Sequence, residues 1–253
     1  MAEAFPDSPP AERQRFLDAR DQNFSKASEL LRKHLAFRAA SLPPPADQKL
    51  IDNGLPHFLI DLADAQSLDG SKVIVAVGAM LDPSFGTPYD YAVATAAFLD
   101  PRFPRDSMKR MTLIVDVDGV AGGANAPPTK LMAILREFAR VLGNNFPERL
   151  EKMIVYPVPA ALRWLWTAIK FFLDPVTAAK TVLLPGSSTP MNELKGLERA
   201  RHPKEIEKYI DVQTMPDSPL YGYTGPRRVG EPPPCPAPIT VERLRLRFGN
   251  ITR

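Results

Sequence analysis

Few side chains in this sequence are spaced for chemistry. Two carboxylates, Asp116 and Asp118, stand at the end of the apolar run LIVDV with Gly119 behind them. Their plainest reading is a strand end entering a turn. Gly119, Gly122 and Gly123 lie between a strand-like and a helix-like segment, where a phosphate-cradling loop would sit. The loop lacks both the lysine–serine pair and the GxGxxG spacing that such loops use. Gly186-Ser187-Ser188 lacks the G-x-S-x-G frame that presents a nucleophilic serine. Three histidines and one cysteine, Cys235, have no close spacing, which speaks against a structural zinc site. A non-enzymatic protein without metal or cofactor is the expectation.

The most informative segment is apolar. Between Phe146 and Gly186 a strand-like run, Met153 to Tyr156, meets Pro157 and Pro159, and the greasy stretch Leu162 to Leu173 follows. It stops at Asp174-Pro175, before a second strand-like run at Thr181 to Leu184. As a helix it would be roughly 18 Å long. Leu162, Leu165, Trp166, Ile169, Phe172 and Leu173 would share one face, and Trp164, Ala168 and Phe171 a second. Arg163, Thr167 and Lys170 would leave only a thin polar strip, where a surface helix shows a broad polar half. Two readings stand: a central core helix, or a movable cover that dips into a bilayer interface, where Trp and Phe are at home. Arg163 and Lys170 would then meet anionic headgroups.

The elements that position this segment alternate in type. Residues 11–40 are helical in pattern, with Ser25 as a candidate cap and Ala27, Leu30, Leu31 and Leu35 on one stripe beside His34. Lys72 to Met80 and Lys109 to Val117 are continuous apolar runs that predict buried strands. Residues 89–99 predict a helix. Thr129 is a candidate cap for a helix carrying Leu131, Ile134, Leu135, Phe138, Val141 and Leu142, with Gly143 as its stop. Residues 191–210 look helical, broken near His202-Pro203. Strands alternating with helices predict an α/β fold with a mostly parallel sheet.

Composition narrows the class further. The chain has 253 residues, 44% hydrophobic and 24% charged, with 32 basic against 29 acidic residues and a net charge of +3. Such a balance does not support nucleic-acid binding. The single cysteine permits no intrachain disulfide, and a reducing compartment is compatible. The start MAEAFPDSPPAERQ lacks the basic and apolar regions of a signal peptide, and no apolar run approaches the ~20 residues of a membrane span. A cytoplasmic protein that visits membrane transiently is expected. Several of the 28 prolines cluster at residues 6–10, 43–45 and 216–238 and read as extended connectors. They divide the chain into a flexible tail (1–10), a helical lobe (11–45), a main domain (46–225) and a Pro-rich end (226–253).

Two stretches resemble the CRAL-TRIO family of lipid-transfer proteins. One is FLDARDQNFSKASELLRKHLAFRAA, residues 16–40, similar to the family's N-terminal helical lobe. The other runs from TLIVDVDG through FPERL to FLDPVTAAKTVLLPG. The resemblance implies a CRAL-TRIO bowl: a sheet floor, helical walls and a gate helix at Leu162 to Leu173. It implies a monomeric carrier whose ligand is a phospholipid, phosphatidylinositol in the first instance, exchanged at a membrane. In phosphatidylinositol-binding members a glutamate in the Pro-Glu-Arg motif and a lysine before the next strand belong to the headgroup site. They match Glu148 and Lys180, and Arg20 matches one member of a basic pair in the first motif. The second basic residue is replaced by Asp21. Where phosphatidylcholine-binding members carry hydroxyl residues, this strand has Met111 and Leu113. More apolar walls would suit a sterol or fatty acid as the alternative cargo. The expected cavity lining is Met111, Leu113, Val115, Val155, Trp166, Ile169 and Phe172, the first three on one strand face. A two-chain lipid with ~30 methylenes would cost on the order of 25 kcal/mol if carried bare, so the chains must be hidden.

A rival resemblance concerns Leu113 to Val120, similar to the Asp-x-Asp start of haloacid-dehalogenase-type phosphatases. It would make Asp116 the nucleophile and Asp118 the general acid, with magnesium between them. That motif normally opens its domain, whereas over a hundred residues precede it here. The later paired-acid loop is also missing, since Asp211 and Asp217 merely flank VQTMP.

Overall fold

The computed structural model describes residues 1–42, 58–78, 81, 83–84, 86–117, 126–156, 158, 163–185 and 204–214. Expectations for residues 43–57, Asp118 to Gly123, Gly186 to Ser188, the helix over 191–203 and the Pro-rich end lie outside the described residues.

Two helices open the chain. The first, α1 (Pro10–Asp18), starts with proline in its first turn, where the missing N–H costs nothing. The second, α2 (Phe24–Ser41), is capped by Asn23, whose side chain accepts from the Lys26 amide. Ser25 therefore lies inside the first turn and is not the cap. Phe16, Leu30 and Leu31 form a small core between the helices, and Phe5 joins it. Residues 1–9, expected as a flexible tail, instead fold back on the pair, because Phe5 has an apolar site to fill.

A six-stranded sheet follows, in the order β5-β4-β3-β2-β1-β6. Its strands are β1 (Leu59–Ser67), β2 (Lys72–Val77), β3 (Met111–Asp116), β4 (Leu150–Tyr156), β5 (Thr181–Leu183) and β6 (Ile210–Asp211). β2, β3, β4 and β5 pair in parallel, while β1 runs antiparallel to both β2 and β6. The mostly parallel α/β sheet is as expected. Residues 204–210, expected within a helix, instead form a short 3-10 turn (Lys204–Lys208) and enter the edge strand β6 at Ile210.

The connecting helices are α3 (Pro88–Leu99), α4 (Pro128–Asn145), α5 (Arg163–Lys170) and α6 (Pro175–Ala179). A reciprocal box closes the α3 start: the Asp90 amide donates to Thr87 Oγ1, and the Thr87 amide donates to Asp90. At α4 the residue preceding the helix is Pro127, so Thr129 is not the cap. Gly143 does not stop this helix, which runs on to Asn145. Among the described residues no helix is long and apolar enough to cross a membrane.

The helix pair is joined to the sheet domain by buried charge. Glu12 is 0% exposed. It accepts two bonds from Arg105, at 2.8 and 2.6 Å, and faces His34 Nε2 at 3.3 Å. His34 Nδ1 lies 3.2 Å from Asn145 Oδ1, whose amide nitrogen donates to the Val141 carbonyl. Burial alone would raise the Glu12 pKa, but the bonds from Arg105 and His34 outweigh it and hold it at about 2. Arg38 grips Asp100 with both guanidinium nitrogens nearby. Arg15 donates to the carbonyls of Ser107 and Arg105.

Candidate functional site: an apolar sheet face beside a carboxylate–lysine pair

Alternation along the parallel strands gives the sheet two unlike faces. On one, Val75, Ile114 and Ile154 lie in register, as do Val77, Asp116 and Tyr156, and all six are buried. On the other, Ala76, Val115, Val155 and Leu183 form a row across four strands, and all four are only half-buried. Leu113 and Met153 form the neighbouring pair and are half-buried too, while Met111 is 8% exposed.

The closed face is covered in part by the 204–214 segment. Ile206 and Ile210 join the main core, and the Lys152 ammonium stands 5.1 Å from the Tyr209 ring centroid. Parallel connections β2-α3-β3, β3-α4-β4 and β4-α5-α6-β5 step across the sheet in one direction, and their right-handed preference places all these helices on one side. Met111 and Leu113 pack in one cluster with Phe98, Leu99, Leu142 and Phe146 of the α3 and α4 ends. The C-terminal ends of α3 and α4 thus lie against Leu113, while Tyr91 of α3 and Ile134 of α4 belong to the same cluster as Val75, Ile114 and Ile154.

Among the described side chains of helix α5 none is fully buried. Trp166, Ile169 and Phe172 are half-buried, whereas Thr167 and Lys170 are exposed and Phe171 is 85% exposed. It packs on α4, and the Arg136 guanidinium lies 4.7 Å from the Phe172 ring centroid. The helix stops before Asp174, whose carboxylate accepts from the Thr177 amide at 2.9 Å and begins α6. Burial opposes the ionised form of Asp174, yet these bonds hold its pKa below the ordinary value. Val176 on α6 is 56% exposed.

The structure brings Glu148 and Lys180 together. The Lys180 ammonium lies 3.6 Å from Glu148 Oε2 and donates to the Leu150 carbonyl at 2.8 Å. Arg110, which sequence reasoning missed, stands 4.0 Å from the same carboxylate and bonds Glu151 at 2.8 Å. Glu148 adopts a left-handed backbone at φ 56°. Its neighbour Arg149 is no partner for it. Arg149 is 2% exposed and donates to the carbonyls of Phe103, Pro104, Ser107 and Lys109. Burial and then the nearby Arg15 pull the Arg149 pKa down to about 10. The two residues of one Glu-Arg step thus face different tasks.

Arg20 is not part of this pair. It lines a cleft of about 410 Å³ between α2 and α4, with Lys26, Glu29, Lys33 and Arg140. The cleft has no lining residue in common with the half-buried sheet face.

Asp116 is 2% exposed and in register with Val77 and Tyr156. A nucleophile must be reached by its substrate, so the phosphatase reading loses its first residue to the packed side of the sheet.

A family model described as the CRAL/TRIO domain matches residues 91–218, half of the sequence. The chain belongs to the CRAL/TRIO domain family. Among CRAL/TRIO relatives, the phosphatidylinositol transfer protein SFH5 of Cryptococcus neoformans var. neoformans is 28% identical over 216 residues, 76% of this chain and 71% of that protein. The phosphatidylinositol/phosphatidylcholine transfer protein SFH12 of Arabidopsis thaliana is 36% identical over 73 residues, 29% of this chain and 13% of that one. This chain therefore spans only a small part of that longer relative. The crystal structure of Sfh5 superposes with a TM-score of 0.53 at 17% identity, covering 73% of this chain and 67% of the other. That likeness supports the CRAL-TRIO fold expected from the sequence.

Proposed function

We propose that the chain is a lipid-transfer protein that carries a phospholipid, phosphatidylinositol in the first instance, between the half-buried sheet face and helices α4 and α5. The row Ala76, Val115, Val155 and Leu183 carries this reading. A parallel sheet is normally sealed on both faces, and here one face is sealed and the other retains accessible apolar surface. Leu113, Val115 and Val155 form the floor for the acyl chains, while Met111, expected beside them, is buried under the α3 and α4 ends. Trp166, Ile169 and Phe172 form the cover.

Helix α5 moves as the gate. Its exposed Phe171, with Val176 on α6, enters the acyl boundary of a membrane while Lys170 meets the headgroups. The carrier works as a monomer that visits the membrane transiently, with the lipid as its cargo. Its helical lobe comprises residues 11–45 and its lipid-binding domain residues 46–225.

Glu148 and Lys180 read the headgroup. A carboxylate accepts from inositol hydroxyls, and an ammonium binds phosphate with a charge-assisted bond. In the closed structure the two screen one another at 3.6 Å.

The decisive experiment is mass spectrometry of solvent extracts from the purified protein. A co-purified phospholipid in near-stoichiometric amount is expected. A sterol or fatty acid in its place would keep the cavity and remove the headgroup role of Glu148 and Lys180. No lipid, together with no transfer between vesicles, would end the carrier reading. Trp166→Asp should abolish vesicle engagement and leave the chain folded. A variant that unfolds would show that the gate face belongs to the permanent core.

A further inference from the structure

The cleft between α2 and α4 is built largely from cations. Arg20 comes from the connector after α1, Lys26 and Lys33 from α2, and Arg140 from α4; among the described residues Glu29 is the one carboxylate in its lining. Two of the cations are answered locally. Lys33 Nζ lies 2.6 Å from Glu29, and Arg140 pairs with Glu137.

The other two have spare capacity. Arg20 Nη1 donates to the adjacent Ala19 carbonyl at 2.6 Å, which leaves most of its guanidinium donors unused. The Lys26 ammonium has no hydrogen-bond or ion-pair partner among the described residues. Two positive charges are thus left over in a concavity of about 410 Å³, within the size range of small-ligand pockets. Clefts lined by one sign of charge concentrate the field and draw counter-ions.

The donor set specifies the ligand chemistry. A guanidinium fork fits phosphate oxygens in a bidentate manner, and an ammonium adds a mobile point charge. Phe37 and Tyr89 also line the cleft and offer ring faces to the body that bears the phosphate.

We propose that this cleft is a second ligand site, for a phosphate monoester, apart from the face that holds lipid. The inference does not depend on the lipid-transfer reading. A soluble phosphate ester and a phosphoinositide head on a membrane present the same chemistry. An occupant would span the seam between the helix pair and α4, since Asn145 lines the cleft and also bonds His34. By mass action it stabilises the docked arrangement.

The test uses the full chain and two probes. Inositol trisphosphate is titrated calorimetrically, with melting followed in parallel, and sedimentation is measured with phosphatidylcholine vesicles that contain or lack phosphatidylinositol phosphate. Saturable, salt-sensitive binding with a rise in Tm is expected. The exposed pair Lys26→Glu/Arg140→Glu should weaken it about tenfold or more, with lipid loading and circular dichroism unchanged. Glu29→Gln should strengthen it by freeing Lys33. Lys180→Ala should leave it unaltered. Binding of inositol trisphosphate alone assigns a soluble ligand; added capture of the phosphoinositide vesicles assigns a membrane head. Failure of both probes to saturate overturns the proposal, as does binding that survives charge reversal at Lys26 and Arg140.

Discussion

Glu12 and Phe171 mark two opposite ways of holding a helix in place. Glu12 is 0% exposed, bonded twice by Arg105 and facing His34, at the seam between the N-terminal pair and the sheet domain. Phe171 follows a helix whose described apolar residues are half-buried at best, and is itself 85% exposed. Breaking a buried charge network from one side leaves uncompensated charge in a dry place, which costs several kcal/mol. Lifting a half-exposed apolar helix removes only the contacts on its inner side. One region is therefore a fixed joint, and the other is held by fewer buried contacts, as the proposed gate requires.

The contrast predicts a graded series. Glu12→Ala should destabilise the fold by about 3–5 kcal/mol, read from urea unfolding. A loss below about 1 kcal/mol would mean that the seam is a surface pair in effect. The same residue sets a pH dependence. Its pKa is depressed from the ordinary 4.5 to about 2, so its contribution is complete above 4.5 and is lost as the pH falls from there toward 2. The stability gap between the wild type and Glu12→Gln should close over that window; a gap that persists at pH 2 would contradict the assignment.

Lys180→Ala acts on the other region. It should cut phosphatidylinositol transfer between vesicles about tenfold, equivalent to ~1.4 kcal/mol, and spare transfer of a lipid without an inositol head. Equal loss for both lipids would make Lys180 a structural residue at the sheet edge. Gly143→Ala should raise stability by about 0.5–1 kcal/mol, because the position is helical and nothing lies within 4 Å of the added carbon. Transfer should not change, since the seam side is already rigid. The smallest stability effect belongs to Phe171→Ser, within about 0.5 kcal/mol, although vesicle engagement should fall clearly. A large stability loss there would erase the distinction between the two regions.

What the sequence could convey depended on how local the physics was. The runs KVIVAV and MTLIV predicted β2 and β3 because parallel strands buried on both faces need continuous apolar residues. β1 escaped notice because LIDLADAQS carries acids. Asp61 is tolerated there since Lys72 of the next strand and Arg102, 41 residues on, reach it at 2.9 and 2.8 Å. The apolar stripe of α4 was readable, but its ends were misplaced: a proline pair started it where Thr129 had been expected to cap, and Gly143 was carried through by the helix on either side.

At the site, the resemblance supplied Glu148 and Lys180, and the structure brought them together. Residue types alone could not separate a core helix from a gate at 162–173, because both demand the same grease; the exposure of Phe171 speaks against full burial of its end, and the gate itself stands as a proposal. Arg149 was hidden by being next to Glu148, since nothing in a Glu-Arg dipeptide says that the second residue turns inward to four carbonyls. Arg20 was expected beside the headgroup and lies instead in the cleft between α2 and α4, a placement set by how the helix pair docks.

Glu148 stands at φ 56°, where any side chain costs the backbone about 1–2 kcal/mol that glycine would not incur. An acid kept in such a bend has its heading set by the main chain, before any guest arrives. If Glu148 receives a headgroup as proposed, less backbone freedom is left to lose on docking.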